Sequence, residues 1–255
     1  MFAEQEAQLL TEAAAGPELE GLVVRRVAGE PLEHLLGWAS FAGLRVAVTP
    51  GVFVPRRRTE LLVRLAVAAV VPGSSAADRF DSRPKNRGLP AVVVDLCCGS
   101  GAIGAAVAHA CPEAIVYAAD VDPAAVVCAR RNLSPERVFE GDLYDALPAV
   151  LAGQVDVLAV NAPYVPTDAI ATMPGEARDH EPRVALDGGP DGVALHRRVA
   201  DRASHWLAPG GRLLIETGRS QAPLTVAACE EAGLAAEVVT DDDLDATAVR
   251  AVSPR

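Results

Sequence analysis

Asn161, Ala162, Pro163 and Tyr164 stand directly after Val155-Asp156-Val157-Leu158-Ala159-Val160, a run that reads as a buried strand. Held at a strand's end, the side-chain oxygen of Asn161 and the backbone oxygen of Ala162 form a two-acceptor fork suited to a planar NH2 group. The chemistry this predicts is attack by nitrogen. A second constellation lies earlier, where Val92-Val93-Val94-Asp95-Leu96 runs into Cys97-Cys98-Gly99-Ser100-Gly101-Ala102-Ile103-Gly104. This reads as a strand, a glycine-rich turn and a helix start, a backbone that comes close to a ligand at the strand's carboxyl end. Asp120, about twenty residues further on and at the end of the next strand, is placed to accept hydrogen bonds from ribose hydroxyls. The pair of features predicts a nucleoside site beside a nitrogen grip.

Gly99-x-Gly101-x-x-Gly104 also matches the dinucleotide fingerprint, so an NAD-binding oxidoreductase stands as a competing reading. Asp95, just before the turn, is placed to meet the ammonium group of S-adenosylmethionine, and hydride transfer uses neither that carboxylate nor the nitrogen fork. The lesser alternative for Asp95 is a helix-capping or turn-stabilising acid. Asp122 suits the cap of a helix starting at Pro123. Gly141-Asp142-Leu143-Tyr144, after the short strand Val138-Phe139-Glu140, falls where a third loop meets an adenine, with Asp142 accepting its amino hydrogens.

The positioning elements follow a simple order. Ala3 to Ala15 and Leu19 to Val27, separated by Gly16-Pro17, read as a helical hairpin that Gly29-Glu30-Pro31 ends. Phe41 to Val48 reads as a small β-hairpin, and Thr59 is expected to cap a helix running to about Val71. Residues 72–90 are rich in Ser, Gly, Pro, Asp and Arg without periodicity and read as an exposed loop. From Ala91 on, continuous apolar strands (91–96, 115–119, 155–160, 212–215) alternate with helices, the pattern of a doubly wound parallel sheet. Residues 235–240 and 247–252, joined by Asp241-Asp242-Asp243, read as two strands closing its edge. The division expected is a small helical domain with β-hairpin over 1–50 and an α/β domain over 51–255.

Bulk properties narrow the partners. With 34 acids against 23 bases the formal charge is -11, and half the residues are hydrophobic. A large core is expected, and extended nucleic-acid binding is not. Five cysteines, an odd number without metal spacing or a preceding signal peptide, point to a reducing cytoplasm. No apolar run reaches the roughly 18 residues of a membrane span. The five histidines share no spacing that suggests a metal or a relay, and Cys97 and Cys98 are expected to line the turn. Arg56-Arg57-Arg58 opposes the dipole of the helix it precedes. Arg56 is expected to pair with Glu181 or Asp187, and Arg57 and Arg58 to touch a partner protein or nucleic acid.

From about Arg26 onward the chain resembles the glutamine-N5 methyltransferases of peptide chain release factors, the HemK/PrmC type. The resemblance is carried by Gly29-Glu30-Pro31-Leu32, Phe41-x-Gly43-Leu44, Val54-Pro55-Arg56 with Thr59-Glu60, Asp95-Leu96 with Gly99-Ser100-Gly101-Ala102-Ile103, Glu181-Pro182-Arg183 with Ala185-Leu186-Asp187-Gly188-Gly189, Pro209-Gly210-Gly211 and Glu216-x-Gly218. It implies a seven-stranded, Rossmann-like class I methyltransferase domain behind a small helical domain associated with engaging the release factor. It also implies methyl transfer from S-adenosyl-L-methionine to a glutamine amide in a Gly-Gly-Gln loop. The implied catalytic set is Asn161, Ala162, Pro163 and Tyr164. The implied cofactor set is Asp95, Cys97, Gly99, Gly101, Ile103, Asp120, Val121, Asp142, Leu143 and Asn161. Three departures stand out: Ala162 for the family's first proline, Arg57-Arg58 for its proline and acid, and Cys97 for its first motif glycine. Ala162 keeps the carbonyl the fork uses and gives up rigidity worth about 0.4 to 1 kcal/mol. An N-methyltransferase of a small molecule or another protein, a nucleic-acid adenine methyltransferase and a binding-only module remain as alternatives.

Overall fold

The structure is a computed structural model that describes residues 3–71 and 89–253, so all but the last two residues of the expected loop at 72–90 lie outside the described residues. Helices α1 (Ala3–Ala13) and α2 (Pro17–Val27) break where expected, with Gly16 at φ 58° and Pro17 in the first helical position, where a missing N–H leaves nothing unpaired. A short helix, α3 (Leu32–Leu36), follows Pro31. It escapes sequence reading because five residues are too few to show a period. Strands β1 (Trp38–Phe41) and β2 (Leu44–Ala47) pair antiparallel and turn through Ala42 and Gly43, both at positive φ as a two-residue hairpin turn of this hand needs.

A 3-10 turn, Arg57–Thr59, leads into α4 (Glu60–Val70). Thr59 does not cap this helix as expected: its backbone is already helical, at φ -66° and ψ -14°, and its side chain makes no capping bond. The hydroxyl is turned to another use, described below.

The main sheet is built from β3 (Val92–Leu96), β4 (Ile115–Asp120), β5 (Val138–Glu140), β6 (Val155–Val160), β7 (Leu207–Glu216), β8 (Ala235–Asp241) and β9 (Ala246–Val252). Between them run α5 (Ala102–Ala110), α6 (Pro123–Ala129), α7 (Gly175–His180), α8 (Ala194–Trp206) and α9 (Ala222–Glu231). The strand order is β5-β4-β3-β6-β7-β9-β8, parallel except for β9, which runs antiparallel to both neighbours. Strand β7 begins five residues before the expected Arg212. The chain passes through Pro209-Gly210-Gly211 as a register shift against β6.

Both faces of the central strands are buried, as their unbroken apolar runs require. Leu158, Val160, Leu213 and Ile215 pack toward Val199, Ala203 and Trp206 of α8, while Val157, Ala159 and Leu214 pack toward Leu62 and Ala66 of α4 and Val107 of α5. Tyr144 is sealed into the first of these layers, stacked on Trp206 at 5.6 Å and donating its hydroxyl to the Val199 carbonyl at 2.7 Å.

Register decides what meets at the carboxyl ends. Leu96 pairs with Ala119 on one side and Val160 on the other, and Val160 pairs with Ile215. The next residues therefore emerge as one row: Asp120, Cys97, Asn161, Glu216. Gly101, at φ 75°, closes the turn against α6, where an added Cβ would stand 2.9 Å from Leu133 Cδ1 and 3.2 Å from Ala129 Cβ. Gly101→Ala combines left-handed strain with overpacking and is expected to cost about 1 to 3 kcal/mol in a urea titration. An unchanged midpoint would mean that α6 yields to the methyl group.

Candidate active site

A cavity of about 410 Å³ opens over that row of strand tips, between β3 and β6, where the chain that ran outward from β3 through β4 to β5 crosses back to β6 on the other side of β3. This is the switch point at which doubly wound sheets hold ligands, and the volume is that of a small-molecule site. One side is lined by Cys97, Cys98, Gly99, Ser100, Ile103, Asp120, Val121, Asp142 and Leu143, the other by Asn161, Ala162, Pro163 and Tyr164 with Phe53, Arg56, Arg58 and Thr59. Two expected cofactor residues, Asp95 and Gly101, lie off this wall.

On the first side, Asp120 binds the turn together. Its Oδ2 accepts from the Gly99 N–H at 2.8 Å and its Oδ1 from the Asp122 N–H at 2.9 Å. Burial raises its pKa while these amides pull it down. Each oxygen keeps a lone pair for a hydroxyl donor. Asp122 takes the capping role, accepting from the Ala124 N–H at 2.9 Å. Val121 is 50% exposed. With Leu143 it gives the cavity apolar walls suited to the faces of a planar base. Asp142 lines the same end, half-exposed and paired with Arg198 at 2.6 Å. Nothing in sequence marks Arg198, since it comes from α8, 56 positions away.

Cys97 sits at φ 57°, the left-handed conformation that glycine takes most easily. Burial, then the nearby Asp120 and Asp95, push its thiol well above the ordinary range, so it is a neutral wall rather than a nucleophile. Asn132, also unmarked in sequence, ties the turn to the hairpin: its Nδ2 donates to the carbonyls of Ser100 at 2.8 Å and Ala47 at 2.9 Å, and its Oδ1 accepts from the Ala47 N–H at 2.8 Å.

Asp95 departs from the ammonium contact expected of it. It is wholly buried behind the turn, with Oδ2 accepting from the Gly104 N–H at 2.8 Å and Oδ1 without a protein partner. Burial raises its pKa to about 8, against the pull of that amide, and Asp120 pushes it further the same way. It holds the helix start in place.

On the second side, Arg56 pairs with Glu181 at 2.6 Å, one of the two partners expected, and the same Glu181 oxygen accepts from the Val54 N–H at 3.1 Å. Burial raises the Glu181 pKa and Arg56 lowers it. Asp187, the other expected partner, accepts instead from the Thr167 hydroxyl at 2.6 Å and pairs with Arg183 at 3.1 Å. Arg58 turns inward: its Nε lies 3.3 Å from Glu216 Oε1 and its guanidinium 5.9 Å from the centre of the Tyr164 ring. Tyr164 donates its hydroxyl to the same Glu216 oxygen at 3.1 Å, and Asn161 Nδ2 donates to Thr59 Oγ1 at 3.4 Å.

These residues fit S-adenosylmethionine: the backbone at Cys97 and Gly99 is folded back at positive φ, Asp120 offers free lone pairs, and Val121, Leu143 and Asp142 surround the far end. Fold and site together define a class I S-adenosylmethionine-dependent methyltransferase. The model of the methyltransferase small domain matches residues 81–176. A solved T. thermophilus 16S rRNA N2 G1207 methyltransferase, in complex with AdoMet and guanosine, shares the fold at a TM-score of 0.54 and 19% identity, covering 85% of this chain and 49% of that one. The release factor glutamine methyltransferase of Mycolicibacterium smegmatis is 38% identical over 88% of this chain and 75% of its own length. A 4-amino-L-phenylalanine/4-methylamino-L-phenylalanine methyltransferase of Streptomyces pristinaespiralis is 36% identical over 80% of this chain and 67% of its own. The chain belongs to the release factor glutamine methyltransferase family.

Asp95 makes a pH prediction. A carboxyl whose folded pKa is raised contributes stability that is full below its unfolded value, near 4, and lost as pH rises through about 8. Urea unfolding should therefore show the stability of the parent, relative to Asp95→Asn, falling between about pH 4 and pH 8 and flat above. A difference that grows with pH would contradict the assignment.

Proposed function

We propose that this protein methylates the side-chain amide nitrogen of a glutamine in the Gly-Gly-Gln loop of a peptide chain release factor, in the cytoplasm. The observation that carries this reading is that Asn161 to Tyr164 line the same cavity as the glycine turn. An amide nitrogen is a poor nucleophile because its lone pair is delocalised into the carbonyl. In this reading the Asn161 side-chain oxygen and the Ala162 backbone oxygen each accept one N–H of the acceptor, which fixes the amide plane and aims the lone pair along one line. S-adenosylmethionine, when bound, supplies an electrophilic methyl carbon on a sulfonium. Tyr164, its phenol kept protonated by burial, then Glu216, forms the wall against which the acceptor lies. No strong base is required, since an amide nitrogen that has gained a methyl group is strongly acidic and gives up its proton to water.

The cavity's other wall supports a protein acceptor. Met173, Pro182 and Val184 continue it outward, and Val184 is 52% exposed, which gives a loop an apolar lip. We assign residues 1–50 to engaging the acceptor protein and 51–255 to the transfer. Among the described residues no helix is long and apolar enough to cross a membrane.

One observation favours a second reading, a small acceptor carrying both an amine and a carboxylate. Arg58 brings a cation to the acceptor side, where the family usually has an acid, and the Streptomyces pristinaespiralis relative is named for an amino acid with an aromatic amine.

Incubation with methyl-labelled S-adenosylmethionine and either a purified release factor or 4-amino-L-phenylalanine separates the two. One added methyl on the loop glutamine, found by mass spectrometry, is the expected result. Label on the amino acid alone would replace the first reading with the second. Asn161→Ala should lower turnover by about 100- to 1,000-fold, the scale of losing one preorganised group at a reacting centre. Turnover within threefold of the parent would remove Asn161 from the mechanism.

A further inference from the structure

The fork works only if the Asn161 amide points the right way round. Its two ends have nearly the same shape, so packing does not distinguish them. With Oδ1 toward the cavity the side chain accepts the acceptor's N–H, and with Nδ2 there it repels it. The local hydrogen bonding must make the choice.

Three observations bear on that choice. Strand register sets Glu216 beside Asn161, because Ile215 and Val160 are paired at the ends of β7 and β6. Glu216 is buried, and its Oε1 already takes two donors, the Tyr164 hydroxyl at 3.1 Å and Arg58 Nε at 3.3 Å. Thr59 Oγ1 accepts from Asn161 Nδ2 at 3.4 Å, and Glu216 Oε2 is buried with no hydrogen-bond partner among the described residues, an acceptor open to the Thr59 hydroxyl, which opposes the upward push of burial on the Glu216 pKa. A hydroxyl has one proton. If that proton is drawn to the carboxylate, what faces Asn161 is a lone pair, and only the amide's NH2 end satisfies it.

We infer that Glu216 and Thr59 are positioning residues that fix the orientation of the Asn161 amide, so that its oxygen faces the reacting nitrogen. Glu216 lies off the cavity wall, and Thr59, which is on it, acts through Asn161. The buried carboxylate sets the polarity of the hydroxyl, and the hydroxyl sets the polarity of the amide. Arg58 and Tyr164 take part by occupying Oε1. They also explain why the acid is not replaceable by its amide: a glutamine at 216 would keep its oxygen on those two donors and turn its NH2 toward Thr59. The hydroxyl would then accept from residue 216 and donate to Asn161, drawing the asparagine oxygen away from the cavity.

The inference rests on the proposed role of the Asn161 oxygen, and the experiment separates the two. Steady-state kinetics with a purified release factor as acceptor would compare the parent with Asn161→Ala, Thr59→Val, Thr59→Ser and Glu216→Gln. Calorimetric S-adenosylmethionine binding and thermal unfolding would be measured on each. Thr59→Val keeps the shape and deletes the lone pair, whereas Thr59→Ser keeps the hydroxyl. Thr59→Val and Glu216→Gln are expected to lower kcat by about 10- to 100-fold, the effect of a misplaced group at a reacting centre, with S-adenosylmethionine affinity and acceptor KM within threefold of the parent. Thr59→Ser is expected to retain kcat. A purely packing role would instead lower Tm in Thr59→Ser, which loses the methyl group, and leave Thr59→Val at parental Tm and kcat, and that result overturns the inference. So does parental kcat in Thr59→Val and Glu216→Gln while Asn161→Ala is inactive. Parental kcat in Asn161→Ala would sink the fork itself. Should release factor not be an acceptor of the parent, the Asn161 side-chain NH2 resonances, identified by their loss in Asn161→Asp, give the readout. A large shift in Thr59→Val and a small one in Thr59→Ser support the inference, and equal shifts overturn it.

Discussion

Backbone hydrogen bonding between four parallel strands is the constraint on which this site depends. Because Ala119, Leu96, Val160 and Ile215 are held in register, Asp120, Cys97, Asn161 and Glu216 leave the sheet together. Neighbouring strands lie about 4.8 Å apart, so Asp120 and Asn161 are separated by roughly 10 Å. A nucleoside grip and a nitrogen grip thus fall within one molecule's length. A slip of one residue in β6 would send the Asn161 side chain to the other face of the sheet and part the two. The buried apolar faces of β3, β6 and β7 prevent that slip.

Two buried acids then fasten the approach segment over this row. Glu181 and Glu216 are far apart in sequence, yet each receives an arginine from the same short stretch, Arg56 and Arg58. Burial raises the pKa of both acids and the arginines oppose it, so each pair is a compromise between desolvation and attraction. Breaking a buried pair by removing one member is costly, about 3 to 5 kcal/mol, because the remaining charge is stranded. Both arginines are partly exposed, at 30% and 47% of the side chain, which reduces that figure here. Position matters more than stability in this case. The pairs hold Phe53, Arg56, Arg58 and Thr59 against the cavity, and Arg57, exposed between them, has no ion-pair partner among the described residues.

The departures from the family pattern fall at this same place. Cys97 takes a left-handed conformation that costs a non-glycine residue about 1 to 2 kcal/mol, and in exchange its side chain becomes part of the cavity wall. Ala162 is 1% exposed, so the loss of proline's ring leaves it enclosed by its neighbours rather than by its own covalent geometry. Arg58 reverses the usual charge at its position and is absorbed by Glu216. A cation therefore borders the acceptor side of a protein whose formal charge is -11.

The sequence by itself determined the strands, the turn and the chemistry attached to them. Val155 to Val160 reads as a strand ending at Asn161 because the run is short, apolar and rich in β-branched valine, and the glycine turn, the Asp120 tip and the Asp122 cap follow from local rules of the same kind. What sequence could not fix was which side chains at those tips face the ligand. Asp95 reads as a ligand contact but lies behind the turn, since the helix start at Gly104 claims its carboxylate. Gly101 reads as a ligand glycine but serves close packing with α6. Thr59 reads as a helix cap, yet its hydroxyl faces Asn161, 102 positions on. Arg198 and Asn132 enter the site's framework from elements that carry no local signal, and Glu216, though part of a motif, shows nothing in sequence of its place beside Asn161. Local hydrogen bonding and apolar period are written within a few residues, so they are legible. The partners of a polar side chain are set by which strand ends lie next to one another, and only the folded sheet decides that.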